Sequence, residues 1–199
     1  LSGYRGAAPV RKGNGAYTQY QGDVFGETML ALAKARDVGV EEDEFSWPLQ
    51  RAMLNFVEKN WQRLDHGMWE MRGPQRAFTH SRAMLWAAMD CGVRAVRDHG
   101  LDGPVREWER LRDDIRDDIE QHGFDCERNS YTQYFGGSGV DATLLQLAQI
   151  GYLGYNDPRM LGTVDALEKD LLVDGLLLRY RAEDSDDGLR LLFEQRLQV

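Results

Sequence analysis

Apolar residues recur at steps of three and four along most of this chain, the spacing of one face of an α-helix. Asp23 opens a predicted helix to about Val38, with Phe25, Met29, Leu32 and Ala33 on one side. The segment EFSWPLQRAMLNFVEKNW predicts a second, with Ser46 as N-cap, Pro48 in the first turn and a stripe of Leu49, Met53, Phe56 and Val57. THSRAMLWAAMDCGVRAVRDHG turns Leu85, Ala88, Met89, Val93 and Val96 inward and stops at Gly100. GPVREWERLRDDIRDDIEQHG does the same with Val105, Trp108, Leu111, Ile115 and Ile119, and its charges form a solvated face. The stripes also place Trp47, Trp86 and Trp108 in the core, and Asp98 and Glu107 on exposed faces.

FDCERNSYTQYFGGSG is expected to be a loop, after which Asp141 caps ATLLQLAQIG. Asp157 and Pro158 begin RMLGTVDALEKDLL as N-cap and first helical residue, and RLLFEQRLQV predicts part of one more helix. Only a few residues near Leu176 to Tyr180 suggest a β-ladder. The pattern is all-α. A tetrapeptide, Tyr-Thr-Gln-Tyr, occurs at 17–20 and again at 131–134, each time ahead of a Gly, an Asp and a helix. The echo suggests equivalent corners of a repeated α-hairpin array.

The 199 residues suffice for one domain with a real core. A net charge of −9 argues against nucleic acid or an anionic membrane as partner. No apolar run is long enough to cross a membrane, and the N-terminal stretch lacks the apolar core of a signal peptide. Cys91 and Cys126 form no CxxC pair and, with four scattered His, no zinc pattern, so no metal or cofactor is expected. The unpaired cysteines fit a cytoplasmic protein. The glycines between 13 and 26 do not make a phosphate loop.

DHGMWEMRGPQRAFTHSR, residues 65–82, joins two helices without a helical period of its own. Aromatic-rich loops on a helical scaffold are where ligand sites occur. Glu70 lies between Trp69 and Met71. An indole that strips water from a carboxyl favours its neutral form, which can donate a proton to a leaving oxygen. A solvated loop Glu beside a core Trp is the other reading. Arg72 could grip hydroxyls or pair with Glu70 or Asp65, and His80 could serve a ligand or pack at a helix start. Tyr17, Tyr20 and Trp69, in helix-entry loops, are candidate platforms for sugar rings.

In order along the chain, GYRGAAPVRKGNGAYTQYQGDVFGETMLAL, GMWEMRGPQRAFTHSRAMLWAAMD, GVDATLL and DGLLLRYRAED resemble the bacterial family-15 glycoside hydrolases, the glucoamylase-like enzymes that include actinobacterial α,α-trehalases. The likeness runs from Gly3 to Gly188. The Trp-Glu-x-Arg-Gly and Phe-Thr-His-Ser blocks carry most of it, and the Tyr-Thr-Gln-Tyr corners look closest to the trehalase branch. It implies an (α/α)6 toroid, of which only part of the ring is in this sequence. Residues 1–199 would be a partial catalytic domain, with an upstream β-rich domain and the downstream end of the toroid elsewhere.

The resemblance implies inverting hydrolysis of an α-glucoside, α,α-trehalose or a maltooligosaccharide, with Glu70 as general acid. Trp69 and Arg72 would line the glucosyl pocket. Tyr17, Gln21 and Asp23 match the family's first corner, His80 matches a family position, and Arg179 and Tyr180 match a hydroxyl-binding pair. Inversion needs a second carboxylate as base. The family's Glu-x-Tyr-Asp loop is not in this sequence, and Glu194 is a poor substitute. A non-catalytic sugar-binding toroid is the contrasting expectation, and a homo-oligomer is compatible with either.

Overall fold

The computed structural model describes residues 15–41 and 43–181. RLLFEQRLQV and Glu194 therefore lie outside the described residues. Within them the architecture is helical. A 3-10 turn at Gly15–Thr18 leads into α1 (Asp23–Asp37), α2 (Ser46–Asn60), α3 (Thr79–Arg97) and α4 (Val105–His122). A two-residue antiparallel pair follows, β1 (Phe124–Asp125) with β2 (Ser130–Tyr131). Then come a 3-10 turn (Ala142–Leu145), α5 (Gln146–Gln149), α6 (Pro158–Leu171), and a second short pair, β3 (Leu172–Val173) with β4 (Leu176–Leu177).

Helix α3 is the centre. Its sequence is apolar or small on nearly every side, so it is buried nearly all round, against α1 on one flank and α4 on the other. Gly26 makes the α1–α3 approach: a Cβ there would stand 2.3 Å from the Met84 carbonyl oxygen. Trp108, Leu111, Ile115 and Ile119 of α4 are buried as their spacing predicts. Trp86 is buried and Trp47 half-buried, edge-on to Trp108. Gly100 ends α3 with a positive φ of 71°.

Four expectations need correction. The cap of α2 is not Ser46. Asp43 Oδ1 accepts from the N–H groups of Phe45 and Ser46, so Ser46 already lies inside the first turn. The buried face of α2 is Gln50, Leu54 and Val57, while Leu49 and Phe56 are 59% and 38% exposed. Gln50 can be buried because its amide donates to Ser46 and accepts from Arg36. Residues 124–139 are not wholly loop, since they hold the β1–β2 pair. The two Tyr-Thr-Gln-Tyr corners differ in backbone: the first enters through a 3-10 turn with Tyr17 88% exposed, and the second runs through β2 with Tyr131 fully buried.

Arg82 ties α2 to α3. Its guanidinium donates to the carbonyls of Trp61, Gln62 and Arg63, just past the last turn of α2. A cation among carbonyls left unpaired at a helix C-terminus suits both hydrogen bonding and the helix dipole. This fixes where the chain leaves α2 and enters the 65–78 segment.

Gly26→Ala should destabilise the fold by about 1–3 kcal/mol, because the added methyl meets backbone and not a movable side chain. Urea unfolding of parent and variant reads this as an earlier midpoint, and an unchanged midpoint would contradict the packing.

Candidate active site

Segment 65–78 lies over the N-terminal ends of α1 and α3. Asp65 and Arg76 close it at its base by exchanging both backbone hydrogen bonds, at 3.0 and 2.9 Å. The Asp65 side chain is buried. Its Oδ1 accepts from the N–H of Gly67 (3.2 Å), an Asx turn, and its Oδ2 from the N–H of Gly22 (2.9 Å), just before α1. Burial is the larger influence on this carboxyl and pushes its pKa up, against the Gly22 N–H. Asp65 is thus occupied by backbone, and Arg72 is exposed and does not pair with it. Gly67 has φ 66°, and the Phe78 ring packs where its Cβ would be, so only glycine suits the turn.

At the top of the segment Glu70 has φ 53°, a left-handed backbone uncommon for a residue with a Cβ. Its N–H donates to Gly67 O (3.1 Å). On its far side the N–H of Met71 donates to His66 O (3.0 Å), and Met71 O accepts from His66 Nδ1–H (2.8 Å) and from Gln19 Nε2 (3.2 Å). The Glu70 side chain is exposed. The expectation that the Trp69 indole strips it of water is therefore not met, because that indole is engaged elsewhere. Trp69 Nε1 donates to Asp141 Oδ2 (3.1 Å), and its ring lies 6.3 Å from that of Tyr180. The Arg179 guanidinium stands 5.5 Å from the Trp69 ring and 5.7 Å from Tyr180.

Asp141 does more than cap. Its Oδ1 accepts from the N–H and hydroxyl of Thr143, starting a 3-10 turn ahead of α5, while its Oδ2 takes Trp69 and Gln133 Nε2 (3.2 Å). The next residue, Ala142, donates its N–H to Arg179 O (2.8 Å), which brings the Arg179–Tyr180 segment to the same point. Burial pushes the Asp141 carboxyl up in pKa, opposed by Thr143 and by nearby His80. His80 is buried one layer down. Its Nε2–H donates to Gln146 Oε1 (3.1 Å), and burial lowers its pKa, which favours the neutral ring. Gln146 also reaches the Met68 sulfur at 3.8 Å.

The structure therefore brings Trp69, Arg179 and Tyr180 together, with Glu70 beside them in sequence and His80 beneath. Arg72 and Tyr17 are exposed, and Gln21 is half-buried at the first corner. Asp23, the first residue of α1, is buried. Desolvation pushes its carboxyl up to about 6; its own backbone N–H opposes this, and nearby Asp65 and Glu27 add to it. Sequence reasoning missed Asp65, Gln19 and Gln133, and assigned Asp141 only its cap. The Asp-x-Gly spacing and the repeated Gln were the available signals. A cleft of about 630 Å³ lies between α1, α3 and α5, lined in part by Glu27, Lys34, Asp90, Arg94 and Gln146, the partner of His80. Among the described residues no cluster of His, Cys, Asp and Glu could hold a metal ion, and no helix is long and apolar enough to cross a membrane.

Residues 1–191 match the sequence profile described as Glycosyl hydrolases family 15. The chain belongs to this family. It is similar to the trehalase of Mycobacterium tuberculosis, with 39% identity over 192 residues that cover 95% of this chain and 28% of that protein. To the trehalase of Thermoplasma acidophilum it is 38% identical over 190 residues, covering 96% and 32%. It spans about a third of the length of these curated relatives. A solved wild-type glycosidase superimposes with TM-score 0.74 at 19% identity, over 86% of this chain and 46% of that one. A glycosidase variant in complex with glucose gives 0.73 at 20% identity, over 86% and 46%. The fold is accordingly all-α, part of an (α/α)6 toroid.

Asp23 makes a signed prediction. Between its usual value of 3.8 and about 6 the folded chain holds this proton and the unfolded chain does not. Its contribution to stability therefore falls as pH rises through that window, with a limiting slope of about 1.4 kcal/mol per pH unit, and is level above it. In Asp23→Asn that part of the fall should vanish, so the variant gains on the parent from pH 4 to 6 in urea unfolding; parallel profiles would contradict the buried, protonated carboxyl.

Proposed function

We propose that this family-15 chain carries the acid side of an inverting α-glucosidase site and that its substrate is α,α-trehalose. The observation that carries this reading is the turn at Glu70. It presents a carboxyl to solvent in a left-handed backbone, directly beside an indole tied to Asp141 and flanked by Arg179 and Tyr180. Strained non-glycine residues cluster at active sites. The names of the relatives, trehalases, support the choice of substrate.

In this reading the Glu70 carboxylic acid gives its proton to the glycosidic oxygen as the C1–O bond breaks, so the leaving glucose departs as a neutral alcohol. A water attacks C1 from the opposite face and loses its proton to a second carboxylate, which in inverting enzymes stands roughly 6.5–9.5 Å from the first. We assign no residue to that base. The face of the Trp69 ring suits the apolar C–H face of a glucosyl unit, while Arg179 and Tyr180 offer donors to its hydroxyls. Arg72, Tyr17 and Gln21 are proposed at the pocket's rim. Asp23 and His80 support it from beneath. Residues 1–199 are read as part of one catalytic domain. A cytoplasmic location fits the free thiols of Cys91 and Cys126.

Glu70→Gln in the full-length protein should cut glucose release from trehalose by about 10²–10⁴-fold, the usual worth of a positioned acid, while trehalose binding is kept. Maltotriose run in parallel distinguishes a glucoamylase-type enzyme. Undiminished turnover in the variant ends the assignment of Glu70.

A further inference from the structure

The repeated Tyr-Thr-Gln-Tyr motif has a use that its two unlike backbones conceal. Gln19 ends on the Glu70 turn itself, and Gln133 reaches it through the Asp141 carboxylate. Gln19 of the first copy donates its amide to Met71 O, the carbonyl just after Glu70 (3.2 Å). Gln133 of the second copy donates to Asp141 Oδ2 (3.2 Å), and the same oxygen accepts the indole N–H of Trp69, the residue just before Glu70 (3.1 Å).

We propose that Gln19 and the Gln133–Asp141 pair are positioning residues that hold Glu70 in its left-handed turn and so aim its carboxyl at the glycosidic oxygen. The proposal rests on Glu70 being the proton donor. A left-handed glutamate is strained, and strain persists only where neighbours over-determine it. The turn has its own inner bonds, Glu70 N–H to Gly67 O and Met71 N–H to His66 O. Those bonds tie it only to the 65–71 segment itself. Gln19 ties it to the entry to α1, and Trp69 ties it to Asp141, in the segment between β2 and α5, whose carboxylate Gln133 helps to hold. With the Gln19 tie cut, or with the Asp141 carboxylate no longer held by Gln133, the turn can relax and the carboxyl swings, since one ångström of misplacement suffices to lose most of the benefit of a positioned group.

An acid out of place penalises only leaving groups that need a proton. Trehalose must release a sugar alcohol, whereas α-glucosyl fluoride releases fluoride with far less help. In the full-length protein, Gln19→Met and Gln133→Met remove one donor each at similar side-chain length. Each should lower kcat for trehalose at least about tenfold and change kcat for α-glucosyl fluoride less than about threefold, with KM for the fluoride near the parent value. Equal losses on both substrates, or no loss on trehalose, overturn the proposal. Should the methionine variants not fold, Gln19→Glu, which keeps the length and puts a carboxylate in place of the donating amide, is read by the same ratio. Glu70→Gln on the same substrate pair separates the two ideas. If it spares trehalose turnover, the reading of Glu70 fails; if it splits the two substrates and the glutamine variants do not, only the positioning role fails.

Discussion

A carboxylate out of water must have its oxygens satisfied, and this constraint sets the geometry of the 65–78 segment. Asp65 and Asp141 are both buried. Each finds its donors on more than one part of the chain: Asp65 on Gly22 and on its own turn, Asp141 on Trp69, Gln133 and Thr143. Satisfying the two carboxyls therefore draws together the entry to α1, the segment after α2 and the entry to α5. A chain that folds this way cannot avoid placing Trp69 and Glu70 where those elements meet.

The helices were legible because their stripes are unambiguous. Trp108, Leu111, Ile115 and Ile119 have one reading, and the Asp157–Pro158 start of α6 is written in two residues; Asp157 indeed accepts from the Arg159 N–H, with Pro158 in the first turn. Helix α2 departs from its apolar stripe because two faces compete. Phe56 looks like core, yet its ring stacks on Phe25 at 4.9 Å near the surface, while the polar Gln50 goes inside with its amide paired to Arg36 and Ser46. Such partners lie in other elements, and a periodicity within one helix does not see them.

The site was legible in its large residues and not in its supports. Trp69, Arg179 and Tyr180 stand out by type, and the structure gathers them around Asp141. Glu70 stands out too, but its neighbour in sequence is not its neighbour in space: the fold turns the Trp69 indole toward Asp141 and leaves the carboxyl exposed. What the sequence hid is which short polar side chain reaches which backbone group. Asp65, Gln19 and Gln133 are ordinary residues whose importance comes from a carbonyl or an N–H brought close by folding.

As read here, this chain supplies the proton donor of an inverting reaction on an α-glucoside. Proton NMR of the first glucose released from α,α-trehalose by the full-length protein reads the stereochemistry of that reaction. Inversion at the attacked C1 gives one β-glucose, while the departing unit keeps its α configuration. Equal early signals from the β and α anomers are expected, before mutarotation mixes them. Early appearance of α-glucose alone would mean retention and would contradict it.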